Sequence, residues 1–236
     1  MKTRYFLIFF LIQVSVFGQI EPDKFIEKDI IDFGFVLDIP TGNHRQKLKS
    51  QLVSVNSPGV YLAYLVNPNA KSDNLSSIFL GGEIGIFGTK QVEFNKPAPD
   101  GEFFMNHRTA WLHFKGRYLP YIYSEKYLPL IDFSMGPVLY SSTMAENLGN
   151  DEVDKFYKYK DFAINAKVEA GLQIKLRNER KPFSFMGISV GFSASNPVKM
   201  INRNKIGFDS AYNVLEALNT HNPRGLFMKL NWSSYR

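Results

Sequence analysis

Residues 162–176 alternate in polarity without a break. The even positions, Phe162, Ile164, Ala166, Val168, Ala170, Leu172, Ile174 and Leu176, are all apolar. The odd ones, Ala163, Asn165, Lys167, Glu169, Gly171, Gln173 and Lys175, are polar, charged or small. Side chains of a β-strand point to alternate faces, so this period of two predicts a strand with one greasy and one ionic side. Strands of ordinary sheets run about 5–6 residues, while a tilted strand crossing a bilayer needs about 9–11. The stretch is long enough to cross.

The same alternation recurs along the chain. It predicts strands over 31–39, 60–66 and 78–88, and a fourth with Leu112, Phe114 and Tyr118 opposite His113, Lys115 and Arg117. Ile131, Phe133, Met135 and Leu139 form a fifth against Asp132, Ser134 and Gly136. The stretch 162–176 is the sixth. Met186, Ile188, Val190 and Phe192 carry the seventh, and Leu226, Met228, Leu230 and Trp232 the eighth. Pro40-Thr-Gly-Asn43 ends the first strand, and a polar loop with His44, Arg45, Lys47 and Lys49 follows. Further loops are expected at about 89–109, at the acidic stretch 146–154 and at about 196–224, where 209–218 could form a short helix. The acidic stretch lacks the ligand spacing of a calcium loop. Connections alternate in length: long links follow strands one, three, five and seven, those after four and six are short, and the link after strand two, at about 67–77, is intermediate. An even strand count with short turns on one side and long loops on the other is the pattern of transmembrane barrels.

Composition adjusts this picture at the N-terminus. Lys2 and Arg4 precede a mostly apolar run over 6–17, and Val16 and Gly18 are small residues before Gln19. That order predicts a secretory signal peptide over 1–18, a periplasmic lead-in over 19–30 and a barrel over 31–236. A membrane helix would need a longer apolar core. The chain has no cysteine, which excludes disulfides, thiolate metal sites and a lipid anchored on cysteine. The formal charge is +6, of which Lys2 and Arg4 would leave with the signal. The bases are dispersed, which gives nucleic-acid binding no support.

Alternation alone leaves open which face meets water. The polar faces are rich in small residues, and their charges balance: Asp32, Asp38, Glu83, Asp132 and Glu169 against Lys115, Arg117, Lys167, Lys175 and Lys229. A closed interior demands such balance, because buried charges are costly unless paired. We therefore expect Glu83, Lys115, Arg117, Asp132, Lys167, Glu169, Lys175 and Lys229 to form a structural charge network in the lumen. Aromatic residues are expected as two girdles at the headgroup levels: Tyr118, Tyr121, Tyr123, Tyr127, Phe183, Trp232 and Tyr235 inside, and Phe87, Trp111, Tyr140 and Phe192 outside. The expected fold is all-β: a closed antiparallel up-and-down transmembrane barrel of about eight strands.

The leader, the Gly-rich strand Leu80-Gly-Gly-Glu-Ile-Gly-Ile86 and the terminal amphipathic strand resemble the small outer-membrane β-barrel family of Bacteroidota. The resemblance covers the mature chain and implies architecture more than activity. The chain departs from the usual terminal aromatic, ending Trp232-Ser-Ser-Tyr235-Arg236. Chemistry is sparse. His44, His107 and His221 are expected in solvated outer loops and His113 in the lumen, and no motif marks a catalytic group, metal or cofactor site. The expectation is a non-enzymatic outer-membrane protein, structural or accessory to an envelope complex for secretion or assembly. Its partners would be lipid and other envelope proteins met through outer loops or periplasmic turns. The alternatives are a narrow solute channel and a hydrolase of lipid or peptide at the rim.

Overall fold

A computed structural model of the chain describes residues 28–50, 56–68, 78–88, 92–94, 102–120, 127–149, 152–176, 184–202, 206 and 218–235. The leader 1–18 and most of the lead-in lie outside the described residues. Eleven strands appear among them: β1 (Asp29–Pro40), β2 (Ser57–Val66), β3 (Ile78–Gly88), β4 (Val92–Phe94), β5 (Glu102–Tyr118), β6 (Tyr127–Gly149), β7 (Glu152–Lys175), β8 (Ser184–Ser195), β9 (Val198–Ile201), β10 (Leu218–His221) and β11 (Arg224–Tyr235). One helix, α1 (Gly42–Ser50), interrupts the β pattern. It is far too short to cross a membrane.

Eight strands close into a ring. β1 pairs antiparallel with β2 and with β11; the circuit continues through β3, β5, β6, β7 and β8 and returns to β11. Closure leaves the ring without a free edge, which a sheet in lipid requires. β4 adds to the outer part of β5, and β9 and β10 form a separate hairpin.

Burial follows the period of two around the whole ring. Phe33, Phe35, Leu112, Phe114, Phe133, Phe162, Ile188 and Leu226 are among the large apolar side chains more than half exposed. Their neighbours in sequence, Asp32, His113, Lys115, Asp132 and Ser189, are buried inside. A continuous apolar belt of this size in water would exceed any patch a soluble monomer tolerates. Along β6 and β7 the belt runs from the pair Tyr127–Ile174 to the pair Leu139–Phe162. The twelve steps between those pairs, at about 3.3 Å each and tilted by roughly 40°, span about 30 Å, the thickness of a bilayer core.

Several expectations are corrected. The polar loop after the first strand holds α1; Leu48 is its lone aliphatic residue and is buried, so no apolar period announced it. Residues 102–109 continue β5 instead of looping, because each pairs with β6 beyond the belt. The acidic stretch 146–154 is the end of the β6–β7 hairpin, with Glu146 opposite Asp154, and two register shifts bend it. Positions 209–217 of the expected helix lie outside the described residues, and Leu218 opens β10.

The girdle is corrected in part. Tyr118 and Tyr127 are exposed at one end of the belt, Phe192 is exposed near the other, and Trp232 stacks on Phe33 with centroids 5.9 Å apart. Trp111, Tyr140 and Tyr235 instead point into the lumen and are buried. Parity dictates this: Trp111 shares its face of β5 with His113 and Lys115, and Tyr140 shares its face of β6 with Asp132 and Ser134. Tyr121, Tyr123 and Phe183 lie outside the described residues.

Trp111 stands opposite Gly85, and a Cβ at that glycine would strike the indole. The missing side chain is the space the ring occupies. The chain has two tryptophans, so a Trp232→Phe background isolates Trp111. In it, Gly85→Ala is expected to shift the emission maximum and to lower stability by about 1–3 kcal/mol, the cost of overpacking. Fluorescence-monitored urea unfolding in vesicles measures both.

Candidate functional site: a lumen sealed in layers

The middle of the lumen is ionic. β5 sends Lys115 and Arg117 inward two residues apart, as strand parity requires. Arg117 grips Asp132 of β6 through Nε at 2.9 Å and Nη2 at 2.8 Å, and reaches Asp32 of β1 at 2.6 Å. Lys115 Nζ lies 2.9 Å from both Glu83 and Asp132 and 3.2 Å from Glu169. Lys229 of β11 meets Glu83 at 2.8 Å and Glu169 at 3.1 Å. Lys167 of β7 lies 3.5 Å from Glu83 and 3.8 Å from the centre of the Trp111 ring, whose Nε1 donates to Glu83 at 2.9 Å.

Four cations thus meet four carboxylates, and the enclosed set is neutral. Asp132 and Glu169 are directly opposed across β6 and β7, a like-charge pair that would repel without Lys115 between them. β2 joins through Tyr61, 3.4 Å from Asp32, and β8 through Ser189, 3.5 Å from Glu169. Every strand of the ring therefore contributes a group. Of the residues expected in this network, Glu83, Lys115, Arg117, Asp132, Lys167, Glu169 and Lys229 come together here. Lys175 does not: it is exposed at the end of β7. The hydrogen-bonding part played by Trp111, Tyr61, Asn231 and Ser233 was missed. Their inward parity was the available signal.

Apolar layers lie on either side. Toward the chain ends, Ile30, Leu65, Phe79, Leu119, Leu128, Leu130, Phe185 and Tyr235 pack together and stop the lumen. Toward the other end, Val36, Tyr61, Trp111, Val138, Tyr140, Met200 and Phe227 form a second plug. Above it lies a cavity of about 50 Å³ lined by Asp38, His44, Thr109, Asn165 and Lys167 among others, with room for a few waters.

A cap covers that cavity. His44 of α1 and His221 of β10 meet with their Nδ1 atoms 3.3 Å apart, and Lys47 Nζ donates to the Thr220 carbonyl at 2.6 Å. His107, at the outer part of β5, lies 2.7 Å from Ser142 Oγ, with Ile201 N of β9 3.4 Å from the same oxygen. The three histidines expected in solvent are therefore buried, at 7%, 3% and 1% exposure for His44, His107 and His221. Sequence reading missed this because they converge from segments far apart in the chain. Burial lowers all three imidazoles from 6.5, His44 and His107 to about 3 and His221 to about 4; neighbouring imidazoles and Lys47 add to the depression. Among the described residues, no three His, Asp or Glu side chains are placed to hold a metal ion.

No protein-family model matches the chain, and no curated protein sequence matches it. Among solved structures the chain is similar to Neisserial surface protein A, at 8% identity over 88% of this chain and 97% of that one, with a TM-score of 0.43. It is similar to Ail, the attachment invasion locus protein of Yersinia pestis, at 13% identity over 89% and 97%, with a TM-score of 0.36. It is also similar to the N-terminal β-barrel domain of Pseudomonas aeruginosa OprF, at 10% identity over 87% and 98%, with a TM-score of 0.28. The class is defined by the chain's own geometry. An eight-stranded closed ring, greasy without and ionic within, is a small transmembrane β-barrel.

Arg117→Ala would leave Asp32 and Asp132 buried without their guanidinium. It is expected to cost about 3–5 kcal/mol in urea unfolding from vesicles, whereas Lys175→Ala at the exposed strand end should stay within about 0.5 kcal/mol.

The cap should respond to acid. Imidazoles with depressed folded pKa values favour the neutral form, so their contribution is complete above about pH 6.5 and is lost as pH falls toward 4 and below. From pH 6.5 to pH 5 the expected loss is about 2 kcal/mol per histidine. Amide hydrogen exchange in α1 should accelerate over that interval, and His44→Gln with His221→Gln should flatten the dependence.

Proposed function

We propose that the chain is an integral outer-membrane β-barrel protein whose role is structural or accessory to an envelope complex, without catalysis and without a conducting pore. The observation that carries this reading is the pairing of a bilayer-wide apolar belt with a lumen blocked at successive levels. The exterior demands lipid, and the interior offers no path. A helix would be the spanning element of an inner membrane, whereas closed barrels are typical of the outer one. The kinship with small barrels of Bacteroidota belongs to the same proposal, supported by the Gly-rich strand and the amphipathic last strand. So does export by the leader 1–18. In this reading the chain ends face the periplasm, and the cap with the long β6–β7 hairpin faces outward. That hairpin is the surface that an envelope partner would meet.

A narrow channel is disfavoured by the apolar layer around Phe79 and Leu128, which packs across the lumen toward the chain ends. The rim hydrolase has one observation in its favour, the Ser142–His107 contact. Ser142 is only 1% exposed beneath β9, so a scissile bond cannot reach its Oγ with the cap closed.

The test is reconstitution. Refolded protein should show heat-modifiable migration and should insert into planar bilayers without conductance steps at neutral pH. Regular steps would sink the non-conducting reading. Migration unchanged by boiling would sink the barrel itself.

A further inference from the structure

The outward face of the ring changes character within a single row. Ala110 of β5, Leu139 of β6 and Phe162 of β7 are cross-strand neighbours in the last apolar row of the belt. Two residues further along each strand, the next outward row is Arg108, Ser141 and Lys160, again in direct register. The row above it is Asn106, Thr143 and Lys158. Arg108, Lys158 and Lys160 are exposed. Elsewhere on the ring, exposed Arg224 also stands two residues beyond a belt residue, Leu226.

Asp161 adjoins Lys160 in sequence but belongs to the opposite face of β7. Its oxygens accept the backbone N–H of Phe162 at 2.9 Å and of Lys199 at 2.7 Å. These hydrogen bonds thus go to backbone donors and not to the bases of the row. At the other end of the belt the outward positions are Asp29, Tyr118, Tyr127 and Ile174, without a base among them. Among the described residues whose parity faces outward, the bases therefore gather at the capped end, while Lys28 and Lys175 are exposed at strand ends opposite.

We propose that Arg108, Ser141 and Lys160 form a binding site for the phosphate of an anionic lipid headgroup in the leaflet at the capped end. Neighbouring strands lie about 4.8 Å apart, so the two bases straddle Ser141 with backbones roughly 10 Å from each other. An arginine and a lysine side chain are each long enough to cover the distance from their own strand to a phosphate seated over the hydroxyl. The guanidinium supplies a forked pair of donors, the ammonium a point charge and the serine a third donor. Phe162, 70% exposed just below, lies where the acyl chains of the same lipid would run. Depth and charge therefore agree: a phosphate at headgroup level meets the bases while its chains cover the belt. The side chains stand at the membrane interface, where attraction to anionic lipid is strongest.

This inference rests on the membrane reading above, and one experiment separates the two. The full mature chain is refolded in neutral detergent micelles and scored for heat-modifiable migration. It is then titrated with bisphosphorylated lipid A, and bound lipid is read by native mass spectrometry. The wild type should retain the lipid, and enzymatically dephosphorylated lipid A should not be retained. R108Q with K160Q should weaken retention by about tenfold or more, since two charge-assisted contacts are lost. R45Q with K49Q, an equal loss of charge on the exposed face of α1, should change it less than about twofold, as expected for bases outside the row. Equal retention by R108Q/K160Q and wild type overturns the site, as does equal binding of the dephosphorylated lipid or equal weakening by R45Q/K49Q. If the wild type shows no heat-modifiable form, the membrane reading fails instead.

Discussion

The charged layer in the middle of the lumen is the constraint on which the rest depends. Four cations and four carboxylates are almost wholly buried, so each must find its partner within the ring. That requirement fixes register on every strand. A slip of one residue would turn Lys115 or Asp132 toward the apolar belt and bring Phe114 or Phe133 inside. The belt and the ionic layer are therefore one statement, made twice by the same alternation. Arg117, Lys115 and Lys229 carry this coupling across the lumen, because each bridges strands that are not neighbours.

Much of this was legible in the residues. The period of two marks all eight strands of the ring, and its polar face names most of the ionic layer. Trp111 and Tyr140 show where such reading failed despite a clear signal. Their residue type suggests a girdle, while their parity puts them inside. Composition is a weaker guide than position when the period is strict.

Other features had no local signal. α1 contains one aliphatic residue in nine, so its amphipathic period is invisible, and it is held by contacts with β10 made across the mouth. The convergence of His44, His107 and His221 depends on three segments that only the closed ring brings together. The outer halves of β5, β6 and β7 lack strict alternation, because beyond the belt neither face must be apolar. Their extended form comes from backbone pairing with one another, which the sequence does not print.

The seam between the first and last strands has a consequence for biogenesis. Asp32 accepts from Ser233 at 3.0 Å and from Asn231 at 3.1 Å, contacts that join residues some two hundred positions apart. Lys229 reaches Glu83 and Glu169 from the same final strand. Zipping the two termini together therefore completes the electrostatic set in the same event. A nascent cylinder still open at that seam would present Glu83 and Glu169 short of a counter-ion and Asp32 short of two donors. Closing that seam supplies the missing donors and counter-charge together, so a chain lacking its last dozen residues would leave three buried carboxylates under-partnered.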